Sequence, residues 1–145
     1  MDLTATQVYV LTTVVLVLNM LGLWIYSGTV RGKTKTTPNE EDARTILKGS
    51  RLEEVDPPEV RRALRAHANA VANIVPFLFV AYLYVTVAAP KPMTALIVCG
   101  VFTLARLGHS FAYVNGKQPW RSMAWGIGLL VTLVTVVLLL VGAWA

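Results

Sequence analysis

Charged residues and cysteine are both scarce in this sequence. Only 14% of the 145 residues are Asp, Glu, Lys or Arg, whereas 55% are hydrophobic. That leaves too few polar side chains to cover a soluble globule of this size, so the composition indicates a membrane protein. The single cysteine, Cys99, excludes a disulfide within the chain and a cysteine-based metal cluster. Two histidines, with no carboxylate in the apolar stretches, give no basis for predicting a metal site.

Long apolar runs are abundant. Residues 8–26, 93–111 and 123–144 each approach the ~20 residues that an α-helix needs to cross ~30 Å of hydrocarbon. A fourth run, 74–89, is shorter and continues N-terminally into a segment with helical periodicity. We therefore predict an all-α, integral membrane four-helix bundle that forms one domain over 1–145. The predicted helices span about 6–30, 57–88, 92–115 and 119–144, and a cytoplasmic loop covers 31–56.

The distribution of basic residues predicts how the chain crosses the membrane. Nine of the 13 lysines and arginines lie in residues 31–65, between the apolar runs of the first and second helices, and Lys117 and Arg121 lie between the apolar runs of the third and fourth. The positive-inside rule makes these connections cytoplasmic and both termini periplasmic or lumenal. Asp2 and the lack of a cleavage site argue against a removable signal peptide. The alanine- and valine-rich composition favours a bacterial inner membrane over the endoplasmic reticulum, and basic residues at membrane boundaries give no reason to predict nucleic acid as a partner.

Polar side chains recur at intervals of three and four residues where the bilayer should exclude them. An arginine within a transmembrane helix costs roughly 2.5 kcal/mol or more unless it snorkels or faces a polar cavity. Several converging arginines therefore predict an anionic guest that carries carboxylates or phosphates. The residues are Arg62, Arg65, His67, Asn69 and Asn73 on the second helix, Arg106, His109 and Tyr113 on the third, and Arg121, Ser122 and Trp125 on the fourth.

Simpler roles remain open for some of these residues. Arg61 and Arg62 can be snorkelling anchors at the membrane boundary. Arg65 and Arg106 can pair with loop acids such as Asp42 or Glu59. His67 can be a packed core histidine, and Tyr113 and Trp125 can be interfacial aromatics.

The same polar residues resemble a family motif. The pattern is similar to that of the MAPEG family, the membrane-associated proteins in eicosanoid and glutathione metabolism, and within it to the microsomal prostaglandin E synthases and glutathione transferases. The resemblance covers nearly the whole chain. It implies a homotrimer that binds glutathione between neighbouring subunits near the cytoplasmic face, while a lipophilic substrate enters from the bilayer. The matching segments are Gly28 to Arg31, Asp42, Arg65-Ala66-His67, Asn69, Asn73, Pro76-Phe77-Leu78, the turn at Pro90, Arg106, His109, Ala112-Tyr113 and Arg121-Ser122.

The resemblance also implies roles for single residues. Arg121 stabilises the glutathione thiolate, and Ser122 donates a hydrogen bond to the thiol. The implied ligand-holding residues are Arg31, Arg65, Asn69, Arg106, His109 and Tyr113, and His67, Asn73 and Trp125 belong to the same binding motifs. A guanidinium in a low-dielectric pocket lowers the pKa of a thiol, which is consistent with the role of Arg121.

Three positions depart from the family pattern. Ala72 replaces a glutamate that pairs with the amino group of glutathione, and this loss weakens binding by about 10- to 100-fold. Ala68 replaces an arginine and Trp125 a tyrosine of the prostaglandin synthases, so prostaglandin H2 isomerisation is not expected. We thus predict a glutathione-dependent transferase or peroxidase. The alternatives are a member of the fold with a lost or altered glutathione site, acting as an accessory subunit or using another thiol, and an unrelated small channel or lipid-binding protein.

Overall fold

The computed structural model describes residues 3–145, so Asp2 and the first residue of the predicted domain lie outside the described residues. Four helices in this range are long and apolar enough to cross a membrane, which confirms the predicted four-helix bundle. The chain is a multi-pass membrane protein. The elements are α1 (Ala5–Thr34), β1 (Thr36–Thr37), α2 (Glu40–Arg44), β2 (Arg51–Leu52), α3 (Pro58–Val87), α4 (Pro92–Val114) and α5 (Trp120–Ala143).

Local sequence signals fix the beginnings of the long helices. Thr4 and Gln7 form a capping box, in which each side chain accepts a hydrogen bond from the other residue's backbone N–H, at 3.2 and 2.9 Å. Pro58 and Pro92 occupy the first positions of α3 and α4. Proline is favourable there because the first N–H groups of a helix have no intrahelical acceptor.

The loop between α1 and α3 differs from its prediction. The segment Thr37-Pro38-Asn39-Glu40 fits a capping box, and this pattern predicts a short helix that runs to Lys48. In the structure α2 ends at Arg44 and has Asn39 as its N-cap without a side-chain cap bond. The Thr37 hydroxyl instead accepts a hydrogen bond from the Asn39 backbone N–H at 3.2 Å. Thr36 and Thr37 pair in parallel with Arg51 and Leu52, which the all-α prediction did not include. Both threonines are buried, and burial of these β-branched side chains favours an extended backbone.

Small side chains let the long helices pack closely. Ala66, Ala70 and Ala81 of α3 are buried in the core. Close approach matters because helices in lipid associate mainly through van der Waals contacts rather than the hydrophobic effect. Between α3 and α4, the Phe77 and Phe102 rings stack with their centroids 3.5 Å apart. The outward faces carry exposed aliphatic and aromatic side chains suited to hydrocarbon.

The topology places four helix termini at one end of the bundle. α1 and α4 end there, and α3 and α5 begin there. We call this end, from which residues 35–57 emerge, the loop end. Most of the polar residues singled out above lie on the helix halves nearest to it, and Asn73 lies at the middle of α3.

Candidate functional site

A polar cavity of about 260 Å³ lies between α3, α4 and α5 at the loop end. We call it the polar cavity. Six of the predicted site residues line it. Residues three and four apart lie on one face of a helix, and this face of α4 meets the first turns of α5 there. The lining is Asn69, His109, Tyr113, Arg121, Ser122 and Trp125. A groove of similar volume between α1 and α4, about 230 Å³, is almost entirely apolar and offers no charged group.

Arg121 is held from two sides. Its guanidinium carbon lies 4.6 Å from the centroid of the Tyr113 ring, within cation–π range. The amide of Gln118 lies on another side of the guanidinium. With the amide oxygen towards Arg121, this oxygen accepts hydrogen bonds from Nη2 at 2.6 Å and Nε at 3.2 Å. The opposite orientation would place the amide N–H groups against guanidinium donors, so the network selects this one.

The same orientation of Gln118 affects Ser122. The amide nitrogen of Gln118 donates to Ser122 Oγ at 3.1 Å. Because the hydroxyl oxygen then serves as an acceptor, its own hydrogen remains available for a bond into the polar cavity. Sequence reasoning did not identify Gln118. Its spacing of three and four residues before Arg121 and Ser122 is the signal that could have found it.

Arg106 lies beneath the polar cavity and is fully buried. Its Nη2 donates to Asn69 Oδ1 at 2.8 Å and lies 3.3 Å from His109 Nδ1. Nε and Nη1 have no hydrogen-bond partner within residues 3–145. Gly128 of α5 packs over the side chain, since a Cβ there would lie 3.4 Å from Arg106 Cδ. Arg106 therefore contacts two cavity residues without lining the polar cavity itself.

Four of the predicted site residues do not line the polar cavity. Asn73 donates to the backbone oxygen of Asn69 at 2.8 Å and so folds back on its own helix. Arg31 pairs with Asp56 through Nη2 and Oδ2 at 2.9 Å. The His67 ring packs against Trp24 of α1 with 5.1 Å between centroids, and Arg65 is exposed. One chain thus brings part of the predicted set together.

The ion pairs show whether Arg65 and Arg106 pair with loop acids, a role that the sequence left open. The pairs within the described part of the chain are Arg31–Asp56, Arg44–Glu40 and Arg51–Glu53. Neither Arg65 nor Arg106 pairs with Asp42 or Glu59. The polar side chains around Arg106 are Asn69 and His109, so a loop acid does not explain its charge in the bundle.

Known proteins resemble this chain over most of its length. The family described as "MAPEG family" matches residues 9–141. Prostaglandin E synthase of Equus caballus is 34% identical over 127 residues, which are 87% of this chain and 81% of that protein. Prostaglandin E synthase of Homo sapiens is 33% identical over 127 residues, 87% of this chain and 82% of that protein. Microsomal glutathione S-transferase 1 of Rattus norvegicus is 38% identical over 102 residues, 68% of this chain and 65% of that protein.

Proposed function

This chain belongs to the MAPEG family, and from that premise we propose that it is a membrane-bound, glutathione-dependent transferase or peroxidase that acts on lipophilic electrophiles or hydroperoxides. The observation that carries the proposal is Arg121, which Gln118 and Tyr113 hold at the polar cavity. A fixed guanidinium favours an anionic sulfur over a neutral thiol. Glutathione supplies that sulfur as a nucleophile when it is bound.

The remaining lining groups suit the rest of glutathione. The tripeptide carries two carboxylates, and Asn69, His109 and Tyr113 offer side-chain hydrogen-bond donors beside Arg121. Ser122, next to Arg121, has a free hydroxyl hydrogen, which in our proposal is donated to the sulfur. In our proposal Trp125 covers the outer side of the polar cavity. The donor set fits an anionic ligand.

Both reactions use the same thiolate. In the transferase reaction the sulfur forms a bond to the electrophilic carbon, and the leaving group departs with its electron pair. In the peroxidase reaction two glutathione molecules give two electrons and two protons to the hydroperoxide, which leaves an alcohol, water and glutathione disulfide. The protein contributes an ionised sulfur held next to a substrate from the bilayer, and proximity lowers the barrier to reaction.

We propose that the site is completed in a homotrimer. Ser122 and Trp125 are exposed in a single chain, while Arg31, Arg65 and His67 lie on other surfaces. A neighbouring copy that supplies such a surface to the polar cavity would add predicted ligand-holding residues to its lining. Native mass spectrometry of the detergent-purified protein tests this, because three chains per particle support the trimer and a single chain per particle contradicts it.

Calorimetric titration with glutathione tests the function. The wild-type protein is expected to bind with micromolar to low-millimolar affinity and to show thiolate absorbance in the bound state. Arg121→Ala should lose that absorbance. Arg44→Ala, which removes an exposed loop arginine that does not line the polar cavity, is the matched control and should retain it. Thiolate absorbance that persists in Arg121→Ala would exclude the assigned role.

A second function is favoured by the absence of a carboxylate among the residues lining the polar cavity. Ala72 lies one turn after Asn69 on α3 and is exposed, where a glutamate would pair with the amino group of glutathione. Under this alternative the fold has an altered glutathione site and serves as an accessory membrane subunit. Ala72→Glu separates the two functions: binding gained only in this variant, with none in the wild type, supports the alternative.

A further inference from the structure

The contact between Arg106 and His109 restricts the protonation of the imidazole. An arginine side chain has N–H donors and no acceptor. Nη2 carries two hydrogens, and its two shortest polar contacts are Asn69 Oδ1 at 2.8 Å and His109 Nδ1 at 3.3 Å. A hydrogen bond in the second contact requires that Nδ1 of His109 be the acceptor. An imidazole that accepts at Nδ1 carries its hydrogen on Nε2.

The two other protonation states of His109 are unfavourable in this setting. An imidazolium has N–H groups on both nitrogens, and the tautomer with hydrogen on Nδ1 also directs an N–H towards the guanidinium. Either state replaces a hydrogen bond with two opposed donors at a site that is almost fully buried, since His109 is 2% exposed. Opposed donors in a water-poor interior are costly because neither can turn to solvent.

The other ring nitrogen faces a different environment. His109 lines the polar cavity. The hydrogen bond of its ring within residues 3–145 is at Nδ1, so Nε2 has no protein partner there. Tyr113 lies edge-on to the ring with 5.5 Å between centroids, and the Arg121 guanidinium lies over Tyr113. The ring is therefore fixed between Arg106 below and Tyr113 above, and its free nitrogen is left for a ligand.

We propose that Arg106 is a positioning residue that holds His109 as the neutral tautomer with hydrogen on Nε2, so that His109 presents a donor to an anionic group in the polar cavity. Arg106 acts through His109 and Asn69 and does not itself contact the ligand. The same Nη2 orients Asn69 with its oxygen away from the polar cavity, which leaves the amide N–H groups for the ligand. The identity of the ligand as glutathione rests on the proposed function, whereas the tautomer does not.

The tautomer is measurable without any ligand. The chain has two histidines, so two-bond ¹⁵N–¹H correlation spectra of protein labelled in histidine contain two rings. His67→Gln, used for assignment only, leaves the His109 signals. The expected result near neutral pH is an unprotonated Nδ1 and a protonated Nε2 for His109. A protonated Nδ1, alone or together with Nε2, would overturn the proposal.

Two variants at position 106 test whether Arg106 causes this state. Lysine, like arginine, donates hydrogen bonds and accepts none, so Arg106→Lys should retain the single tautomer. Arg106→Met removes the donor, and its spectra should show averaged nitrogen shifts from a tautomer mixture. An unchanged single tautomer in Arg106→Met would show that another group holds His109 and would contradict the proposal. The wild-type spectrum remains decisive if a variant fails to fold.

A pair of isosteric variants tests the consequence for binding. The glutamine amide nitrogen can occupy the place of Nε2, whereas the asparagine amide reaches the place of Nδ1. His109→Gln should therefore bind glutathione about tenfold more tightly than His109→Asn, because a hydrogen bond to a charged group is retained. Equal binding by both variants would refute the donor role of Nε2. A correct tautomer with no binding by the wild type would instead disprove the proposed function alone.

Discussion

At the scale of single residues, two arginines near the same site occupy opposite environments. Arg121 is half-buried. Its guanidinium donates hydrogen bonds to an amide oxygen and lies over the face of an aromatic ring. Arg106 is fully buried, and two of its three guanidinium nitrogens have no partner within the described chain. Burying a charged group with unpaired donors destabilises the fold. Arg106 is therefore expected to serve function at the expense of stability.

Replacing Arg106 with methionine should raise the stability of the protein. A well-packed apolar side chain of similar length removes the buried charge together with its unpaired donors, and an unpaired buried donor costs about 1 to 3 kcal/mol. The buried Cys99 is the only cysteine, so a thiol-reactive dye reports unfolding in detergent. Arg44→Met is the exposed control and should melt like the wild type. A lower midpoint for Arg106→Met would mean that its bonds to Asn69 and His109 outweigh the desolvation cost.

Gln118 should affect catalysis through Arg121. Gln118→Leu removes the acceptor of two hydrogen bonds from the guanidinium and the donor to Ser122. Hydrogen bonds to a charged group contribute about 1.5 to 3 kcal/mol, so kcat/KM for glutathione transfer to a chloronitrobenzene should fall at least about tenfold. Lys117→Ala changes the adjacent residue, which lies over Phe111, and should leave the rate unchanged. A wild-type rate for Gln118→Leu would show that Tyr113 alone positions Arg121.

At the scale of elements, two glycines of α5 lie where the helix comes closest to its neighbours. Gly128 allows the helix to pack on Arg106 at the level of the site. Gly142 lies against Ala88 at the end of α3, where an added Cβ would be 2.5 Å from the Ala88 Cβ and 3.2 Å from its Cα. A backbone atom so close cannot move aside without shifting a helix. The lack of a side chain at these two positions thus allows α5 to pack close to its neighbours.

Gly142→Ala should therefore loosen the packing of α5 on α3. Overpacking of this kind typically costs about 1 to 3 kcal/mol, and the melting midpoint in the thiol-dye assay should fall. Gly126→Ala is the matched control, because it lies on the same helix and a Cβ there meets nothing within 4 Å. Equal midpoints for the two variants would indicate that the ends of α3 and α5 separate at no cost.

At the scale of the whole molecule, the outward faces of the bundle suit hydrocarbon and the loop end carries the charge. Leu104 and Phe79 are 71% and 70% exposed, as expected for side chains that face lipid. Most lysines and arginines lie in or next to the connections at the loop end. We propose that this end is cytoplasmic, that both termini are periplasmic, and that the protein resides in a bacterial inner membrane.

Reporter fusions test this orientation. Alkaline phosphatase folds only outside the cytoplasm, so a fusion after Ala145 should be active in bacterial cells. A fusion of the same enzyme truncated after Gly49 should be inactive, because the preceding basic residues retain the loop inside. The reversed pattern would place the loop end in the periplasm and would contradict the proposed orientation.

Much of the fold could be predicted from the sequence because the bilayer imposes simple requirements. An apolar run of about 20 residues forms a spanning helix whatever its neighbours, since unpaired backbone groups are too costly in hydrocarbon. Helical spacing placed His109 and Tyr113 on one face of α4, and Arg121 and Ser122 at the start of α5. These features depend on the order of residues within one segment. The family motif added the expected chemistry.

The tertiary structure alone decided which of these side chains meet. Spacing fixes the face of a helix but not the rotation and register of its neighbours, so it could not show that Arg106 lies under the polar cavity or that His67 packs on Trp24. The pairing of β1 with β2 also arises only after the chain turns back on itself. Contacts between segments depend on the packing of all four helices at once, and that packing is a property of the whole bundle.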